Sequence, residues 1–361
     1  MTAEQLEGVK AEAERALTLD PGLPQAHLAL GYYYYWGYRR YDHAVAQFNR
    51  ALQLAPNSVD AILGLAFIAR RRGQFEQTLT LLRQAVVLAP RDGSNWSEYG
   101  ITYLILRNYS QAVRQLKNAL AVDPNYLDAH DFFVRALLFG FANSKQARAV
   151  FGPSIEWRIA AANRLAGDAY NLIGPRAYTD MFSRHFRAAL RDLHTEPATT
   201  DKEHLIKRVA RVAIEMIAGQ QVAIRPECEK LKPLVDAELA KDKDALGPLQ
   251  RLSWVDLCLG QNAAAITAAR HATEVLPLSK DAYFGVFQLE GLAEIEAHAG
   301  KPDDAIELLG RLLAMPAGES VSIERLKLDP LWDPIRNDPR FQALLKKYQQ
   351  NNPPQESANG G

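Results

Sequence analysis

Residues 91–124 read RDGSNWSEYGITYLILRNYSQAVRQLKNALAVDP and contain one copy of a repeated pattern. Small residues stand at Gly100, Ala112 and Ala119, and large ones at Trp96 and Tyr103. This spacing predicts two antiparallel helices, with the small side chains where the two backbones come closest. The closing Asp-Pro ends the second helix, because proline cannot donate a backbone hydrogen bond.

The pattern extends to both sides of this stretch. Prolines at Pro21, Pro56, Pro90 and Pro124 are about 34 residues apart, and each follows an alanine by five residues. The first full unit has one extra residue, which we expect in the turn at residues 36–40. The pattern returns near Gly260 and Gly300, but the stretch from Pro124 to Pro277 holds about 4.5 repeat lengths. A simple in-phase array therefore cannot fill the middle of the chain.

The alanine, glycine, aromatic and proline positions over residues 23–124 resemble the tetratricopeptide repeat, a helix–turn–helix unit of 34 residues. The resemblance implies an all-α fold: a right-handed superhelical array of antiparallel helix pairs. Residues 276–283, 312–318 and 329–341 also resemble the C-terminal repeat region of bacterial regulatory proteins. Those proteins carry an upstream adenylate/guanylate cyclase, Ser/Thr kinase or winged-helix DNA-binding domain. We do not carry over the activities of those domains, which are absent from this chain.

The sequence predicts five segments. An N-terminal repeat array covers residues 1–141, and an irregular helical segment with a polar loop at 193–202 covers 142–203. A second array covers 204–320 and begins with an amphipathic helix over 203–220. Capping turns and a final helix over 339–348 occupy 321–348, and the polar tail 349–361 is expected to be disordered.

The composition narrows the function classes. Lys+Arg and Asp+Glu both number 42 in 361 residues, which disfavours nucleic-acid partners and a polybasic membrane anchor. No apolar run approaches the roughly 18–20 residues that cross a bilayer, so we expect no membrane insertion. Cys228 and Cys258 form no C-x-x-C motif, and we expect them to be buried thiols. We therefore expect a cytoplasmic protein in a reducing compartment.

No motif for phosphate binding, zinc proteolysis or nucleophilic catalysis occurs. We expect no enzyme activity, no cofactor and no metal. His194, Asp201, Glu203 and His204 form a cluster that could hold an adventitious metal, although helix-capping acids in a solvated loop explain it better. An enzyme hidden in the middle segment stays an alternative, with Asp192 and the two histidines as the suspected residues.

The concave groove is the predicted binding site, because the first helix of each repeat lines it. Tyrosine, tryptophan and arginine dominate binding hot spots. In the run Tyr32–Trp36, Tyr34 is expected to pack inside the repeat. The predicted groove residues are Leu28, Tyr32, Tyr35, Trp36, Phe67, Arg70, Arg71, Ile101, Leu104 and Arg135.

The predicted function is a non-enzymatic protein–protein interaction scaffold that binds a peptide or protein segment in this groove. The arginines favour a partner with apolar anchors and some acidic residues. Two alternatives stay open: the aromatic residues fill the groove by packing on neighbouring helices, or the chain is the regulatory module of a bacterial signalling protein. Homo-oligomerisation also stays open.

Overall fold

A computed structural model describes residues 3–150, 168–195 and 198–351, and within these ranges every regular element is helical. The α-helices are α1 (Ala3–Leu19), α2 (Pro24–Tyr32), α3 (Tyr41–Leu54), α4 (Val59–Arg71), α5 (Phe75–Leu88), α6 (Gly93–Ile105), α7 (Tyr109–Val122), α8 (Leu127–Arg135), α9 (Ser144–Val150), α10 (Ala169–Ile173), α11 (Pro175–Phe182), α12 (Phe186–Thr195), α13 (Asp201–Ile217), α14 (Gln221–Leu239), α15 (Leu246–Cys258), α16 (Asn262–Val275), α17 (Phe284–His298), α18 (Pro302–Ala314), α19 (Ile323–Leu328), α20 (Asp333–Arg336) and α21 (Pro339–Asn351). Two π-helical segments, Tyr33–Gly37 and Ala136–Gly140, and a 3₁₀ turn, Pro330–Trp332, complete the described elements.

Successive helices pack in pairs, and each pair turns at a residue with a left-handed backbone. These residues are Arg39, Gly73, Arg107, Ala142, Arg184, Gly219, Gly260 and Gly300. The turns are closed by hydrogen bonds of the Schellman type, such as Gln74 N–H to the Ala69 carbonyl at 2.8 Å. The left-handed residues recur about every 34 residues as far as Ala142 and at mostly longer intervals after it. The predicted all-α array of helix pairs is therefore confirmed.

The described part of the predicted irregular segment, residues 142–203, contains the helices α9 to α12. Helices α11 and α12 are joined at Arg184 by the same left-handed turn, so the described part of 142–203 contains a helix pair of the same kind. The pair α8/α9 spans the predicted boundary at residue 141. Helix α12 continues to Thr195, which shortens the predicted loop at 193–202, and residues 151–167 lie outside the described ranges.

The ends of the predicted C-terminal segments also shift. The final helix, predicted over 339–348, runs as α21 through Asn351. It therefore includes the first three residues of the predicted tail, whose remainder lies outside the described residues.

The extra residue of the first unit lies in a helix and not in the predicted turn. The π-helical segment Tyr33–Gly37 follows α2 directly, and a π turn takes up one residue more than an α turn. The fourth unit repeats this arrangement, because Ala136–Gly140 follows α8 in the same way. Each insertion is thus absorbed at the end of the first helix of its pair.

The expectation of free thiols is wrong. Cys228 on α14 and Cys258 at the end of α15 form a disulfide, with Cα atoms 6.3 Å apart, and both residues are buried. Two helices of neighbouring pairs bring the thiols together across 30 residues of sequence, and linear spacing does not reveal this contact. Disulfides persist mainly in oxidising compartments, so the basis for predicting a reducing compartment is lost. The cytoplasmic location stays a prediction.

Among the described residues, no helix combines the length and the apolar character needed to cross a membrane.

Candidate functional site

The predicted groove residues lie on the first helices of the four N-terminal pairs and on the π segment after α2. We call this side of α2, α4, α6 and α8 the inner face. Trp36 is exposed, with 58% of its surface accessible, and Leu28, Tyr32 and Phe67 are half-buried. The remaining predicted residues are buried: Tyr35, Arg70, Arg71, Ile101, Leu104 and Arg135.

Tyr34 and Tyr35 point to different neighbours. Tyr34 contacts the ring of His43 on α3, at 5.2 Å between ring centres, as expected for a residue inside the repeat. Tyr35, expected to face the groove, stacks on Phe67 at 6.2 Å and accepts a hydrogen bond from Arg71 Nε at 3.1 Å. It therefore belongs to the packing between the first two repeats.

The C-terminal half of the chain covers one end of the inner face. The Arg71 guanidinium lies 3.6 Å from the Asp281 carboxylate and 4.0 Å from the centre of the Phe284 ring. The Arg70 guanidinium lies 4.8 Å from the ring of Tyr283, which also packs in one apolar cluster with Ile101. These predicted groove residues are occupied by contacts within the chain.

Three carbonyls at the ends of α4, α6 and the second π segment accept hydrogen bonds from this covering half. The Arg71 carbonyl accepts from the Ala282 N–H at 2.8 Å, and the Ile105 carbonyl accepts from the Gly318 N–H at 2.8 Å. The Phe139 carbonyl accepts from the hydroxyl of Ser322. Carbonyls in the last turn of a helix have no partner within that helix, so the C-terminal half satisfies groups that the repeats leave open.

Gly318 lies so close to the end of α6 that no side chain would fit at its position. A Cβ atom on Gly318 would clash with the Leu104 carbonyl and would lie 2.9 Å from the Arg107 backbone nitrogen. Arg107 reinforces the contact by donating to the carbonyls of Leu312 and Met315, at 2.8 and 2.6 Å.

The arginines of the inner face are paired with acids of the same chain. Arg70 lies 2.7 Å from the Glu98 carboxylate, and Arg135 lies 3.3 Å from that of Asp131. Arg135 also donates to Asn171 Oδ1 at 2.5 Å. Their positive charge is therefore largely compensated before any partner arrives.

The part of the inner face that the C-terminal half leaves uncovered forms a strip, which we call the open strip. It consists of the apolar residues Leu28, Tyr32 and Phe67 and the acidic residues Asp60, Glu98 and Asp128. The Tyr32 hydroxyl donates to the Asp60 backbone carbonyl at 3.0 Å, which joins the first two repeats. The strip thus combines half-exposed apolar surface with carboxylates from three consecutive repeats.

The carboxylates of the open strip influence one another. Burial, helped by the negative charges of Glu98 and Asp131, raises the pKa of Asp128 to about 6. Burial and the negative charges of Asp60 and Glu98 raise the pKa of Tyr32. Within the described residues, no lysine, arginine or histidine forms a salt bridge with Asp60 or Asp128. The strip is therefore acidic.

The sequence contained a signal for these carboxylates. Asp60 and Asp128 occupy the same position of α4 and α8, second in each helix, so the repeat register places both on the inner face. The repeat pattern alone favours the arginines as binding residues, because it does not show the acidic side chains that pair with them.

A second group of buried charges lies within the C-terminal half. Arg325 on α19 forms salt bridges with Glu290 on α17 and with Asp329, and all three side chains are fully buried. Burial raises the pKa of Glu290 to about 8 even though the Arg325 charge opposes the shift. These contacts connect α17 with α19, and we assign them a structural role.

Asp192, one of the suspected catalytic residues, and Glu203 of the predicted metal cluster make structural contacts. Asp192 pairs with Arg148 and Arg176, each at 2.9 Å. Glu203 accepts hydrogen bonds from the backbone N–H groups of Thr199 and Thr200 at the start of α13. These hydrogen bonds lower the pKa of Glu203 to about 2. Within the part of the chain that the structure describes, no cluster of three or more metal-ligating side chains could hold a metal ion.

Comparisons with known proteins find similarity in structure only. No protein-family model and no curated protein sequence matches the chain. A tetratricopeptide repeat protein from Parabacteroides merdae aligns over 69% of this chain and 92% of its own, with 17% identity and a TM-score of 0.46. PilF of Pseudomonas aeruginosa aligns over 62% of this chain and 93% of its own, with 16% identity and a TM-score of 0.43.

An O-GlcNAc transferase from Thermobaculum terrenum aligns over 40% of this chain, with 22% identity and a TM-score of 0.34. The chain matches only 26% of that enzyme's length. At these identities and scores the fold rests on the helices of this chain itself, and we transfer no activity from the neighbours.

Proposed function

We propose that this chain is a tetratricopeptide-like scaffold without catalytic activity that binds a segment of a partner protein along the open strip. The observation that carries this proposal is the set of half-exposed apolar side chains, Leu28, Tyr32 and Phe67, beside two carboxylates, Asp60 and Asp128, that form no salt bridge among the described residues. An extended or helical segment can place apolar anchors between such side chains. Superhelical arrays of this kind use their concave faces for binding.

We further propose that the partner segment carries basic residues. The expectation of an acidic partner depended on Arg70, Arg71 and Arg135, and each of these lies beside a carboxylate of the chain itself. Asp60 and Asp128 have no such counter-ion among the described residues, so a lysine or arginine of the partner would compensate them. Opposite charges at an interface favour the correct partner and suppress the wrong one.

The regulatory-module alternative stays a prediction from the sequence, as does self-association.

Two short peptides test the proposed function. They share the same apolar residues, and one carries lysines where the other carries glutamates. We expect the lysine peptide to bind at least about tenfold more tightly at pH 7, which corresponds to about 1.4 kcal/mol. Fluorescence polarisation with each labelled peptide measures the two affinities.

A double variant, Asp60→Asn with Asp128→Asn, should abolish the preference for lysine. Glu76→Gln on α5 serves as the control, because Glu76 is exposed on the second helix of its pair and away from the open strip. Equal affinity of the two peptides for the wild-type chain would refute the basic partner. Failure of both to bind would refute the peptide site.

A further inference from the structure

The end of the first repeat differs from the ends of the next three. The carbonyls of Arg71, Ile105 and Phe139 lie about 34 residues apart in sequence, and each accepts a hydrogen bond from the C-terminal half. Trp36 continues this spacing toward the N-terminus. Among the described residues, no group donates a hydrogen bond to the Trp36 carbonyl. The row of covered carbonyls therefore stops at the second repeat.

The two π segments allow a covered repeat end to be compared with an uncovered one. Trp36 and Phe139 are the fourth residues of their segments. A left-handed residue, Arg39 or Ala142, follows each of them three positions later. Phe139 is fully buried, and the Arg325 guanidinium lies 4.6 Å from the centre of its ring, whereas Trp36 is 58% exposed. Similar backbone arrangements thus present a covered ring in the fourth repeat and an open ring in the first.

The turn after Trp36 carries further exposed side chains. Tyr38 is 42% exposed, and Arg39 and Arg40 are exposed as well. The Arg40 guanidinium lies 5.7 Å from the centre of the Tyr38 ring. Tryptophan, tyrosine and arginine are the residue types that dominate binding hot spots. We call Trp36, Tyr38, Arg39 and Arg40 the end patch.

The end patch is positively charged. Within the part of the chain that the structure describes, neither of its arginines forms a salt bridge. Glu7 on α1 accepts hydrogen bonds from the hydroxyls of Tyr33 and Tyr38, at 2.8 and 2.7 Å. Asp42 on α3 pairs with Arg72 at 2.6 Å. Two arginines beside one uncompensated carboxylate, that of Glu7, leave the patch favourable to an acidic partner.

The cover of the second repeat shows which chemistry fits such a position. Ala282 donates its backbone N–H to the Arg71 carbonyl at 2.8 Å. The Asp281 carboxylate lies 3.6 Å from the Arg71 guanidinium, and the Phe284 ring centre lies 4.0 Å from it. This cover reaches the first repeat, because the Tyr41 hydroxyl at the start of α3 donates to the Asp281 carboxylate at 3.3 Å. The end patch therefore continues an interface that is already present in the molecule.

We propose that the end patch binds a partner protein through a segment in which an acidic residue precedes aromatic residues. The acidic residue pairs with Arg39 or Arg40, through hydrogen bonds strengthened by charge. An aromatic side chain packs on the Trp36 ring, and a backbone N–H of the segment donates to the Trp36 carbonyl. The proposal is independent of the open strip, which takes a segment of the opposite charge.

The labelled peptide Gly-Ser-Asp-Ala-Tyr-Phe-Gly-Ser is the probe, and fluorescence polarisation with the full chain measures its affinity. Replacement of both aromatic residues by alanine should weaken binding by at least about tenfold. Replacement of the aspartate by asparagine should weaken it by about fivefold, because a charge-assisted hydrogen bond is lost. Absence of binding of the parent peptide, or equal affinity of these three peptides, would refute the site.

The role of the carbonyl has its own test. N-methylation of the alanine that follows the aspartate removes one backbone donor and should weaken binding by about fivefold. N-methylation of the first glycine is the control, because that residue lies outside the acidic and aromatic stretch. Equal affinity of the two methylated peptides would refute the hydrogen bond to the Trp36 carbonyl.

Variants of the chain locate the site. Trp36→Ala should weaken binding of the parent peptide by at least about tenfold, with unchanged helical content by circular dichroism, because the side chain is exposed. Arg39→Gln with Arg40→Gln should remove the preference for aspartate over asparagine. Val87→Ala and Arg83→Gln on α5 are the matched controls, since both side chains are exposed on the second helix of a pair. An equal loss of affinity in the controls would refute the assignment to the end patch.

A last variant separates this site from the open strip. Asp60→Asn with Asp128→Asn should leave the affinity for the parent peptide unchanged, because neither residue belongs to the end patch. A tenfold change in this variant would show that the peptide binds at the open strip, and would refute the end patch as its site.

Discussion

Asp128 shows how the repeat array sets the properties of a single residue. Its carboxylate lies on the first helix of the fourth repeat, where burial and two acidic neighbours raise its pKa from 3.8 to about 6. A carboxyl group whose pKa is raised in the folded state does not reduce stability while it is protonated in both states. It lowers the free energy of unfolding at higher pH, where the unfolded chain ionises more readily than the folded chain. Between pH 3.8 and about 6 the unfolded chain releases this proton before the folded chain does, so the contribution of Asp128 to stability falls as the pH rises.

Asp128→Asn should therefore stabilise the protein at pH 7.5 by about 1–2 kcal/mol, after allowance for the partial exposure of the side chain. The same variant should change the free energy of unfolding by less than about 0.3 kcal/mol at pH 3.5, where the aspartate is protonated in the folded state and mostly protonated in the unfolded state. Urea unfolding at the two pH values measures both effects. A stabilisation of the same size at both values would show that the shift does not arise from the carboxylate charge.

Among the elements, the first three full repeats could be predicted from the sequence and the insertions could not. The small residues and prolines of residues 23–124 specify helix pairs, because they mark the close contacts and the helix ends. The spacing of the first unit predicts a longer turn, whereas the structure accommodates the extra residue in a π segment. A π segment and a longer turn both lengthen the repeat by one residue, so the sequence does not distinguish them. Packing between the helices decides which one forms. The pairing of α11 with α12 does not follow from the repeat spacing, because the interval from Ala142 to Arg184 is longer than 34 residues.

The contact between α14 and α15 also depends on packing, and the disulfide makes it testable. Removing the link with Cys228→Ser and Cys258→Ser frees a loop of 30 residues in the unfolded chain. We expect a loss of about 3–4 kcal/mol in the free energy of unfolding, because the unfolded chain gains conformational entropy when the disulfide no longer closes this loop. Equilibrium denaturation of the oxidised wild type and the double serine variant gives the difference. Equal stability, or two alkylatable thiols in the native wild type, would contradict the link.

At the scale of the whole molecule, the C-terminal half lies against the ends of the inner-face helices. This arrangement contributes to the burial of Arg70, Arg71, Ile101, Leu104 and Arg135, whereas Tyr35 is buried between the first two repeats and the open strip is left uncovered. The repeat pattern assigns the predicted groove residues to the first helices of the pairs. It could not predict what covers them, because contacts such as Arg71 with Asp281 join residues that are far apart in sequence and depend on the curvature accumulated over many pairs. The acidic character of the open strip has a more local origin as well, since Arg70 and Arg135 pair with acids of the repeats themselves and only Arg71 pairs with an acid of the C-terminal half.

Engineered cross-linking tests this closure most directly. A Cβ atom on Gly73 would lie 3.5 Å from that of Ala282, within the range for a disulfide, so Gly73→Cys with Ala282→Cys should cross-link under mild oxidation. Gly300→Cys with Ala282→Cys is the control: Gly300 has the same left-handed backbone as Gly73, and the length of α17, about 22 Å, separates it from Ala282. The account predicts a nearly complete cross-link in the first variant and two alkylatable thiols in the second, counted by mass spectrometry. Two free thiols in both variants would contradict the closure of the C-terminal half onto the inner face.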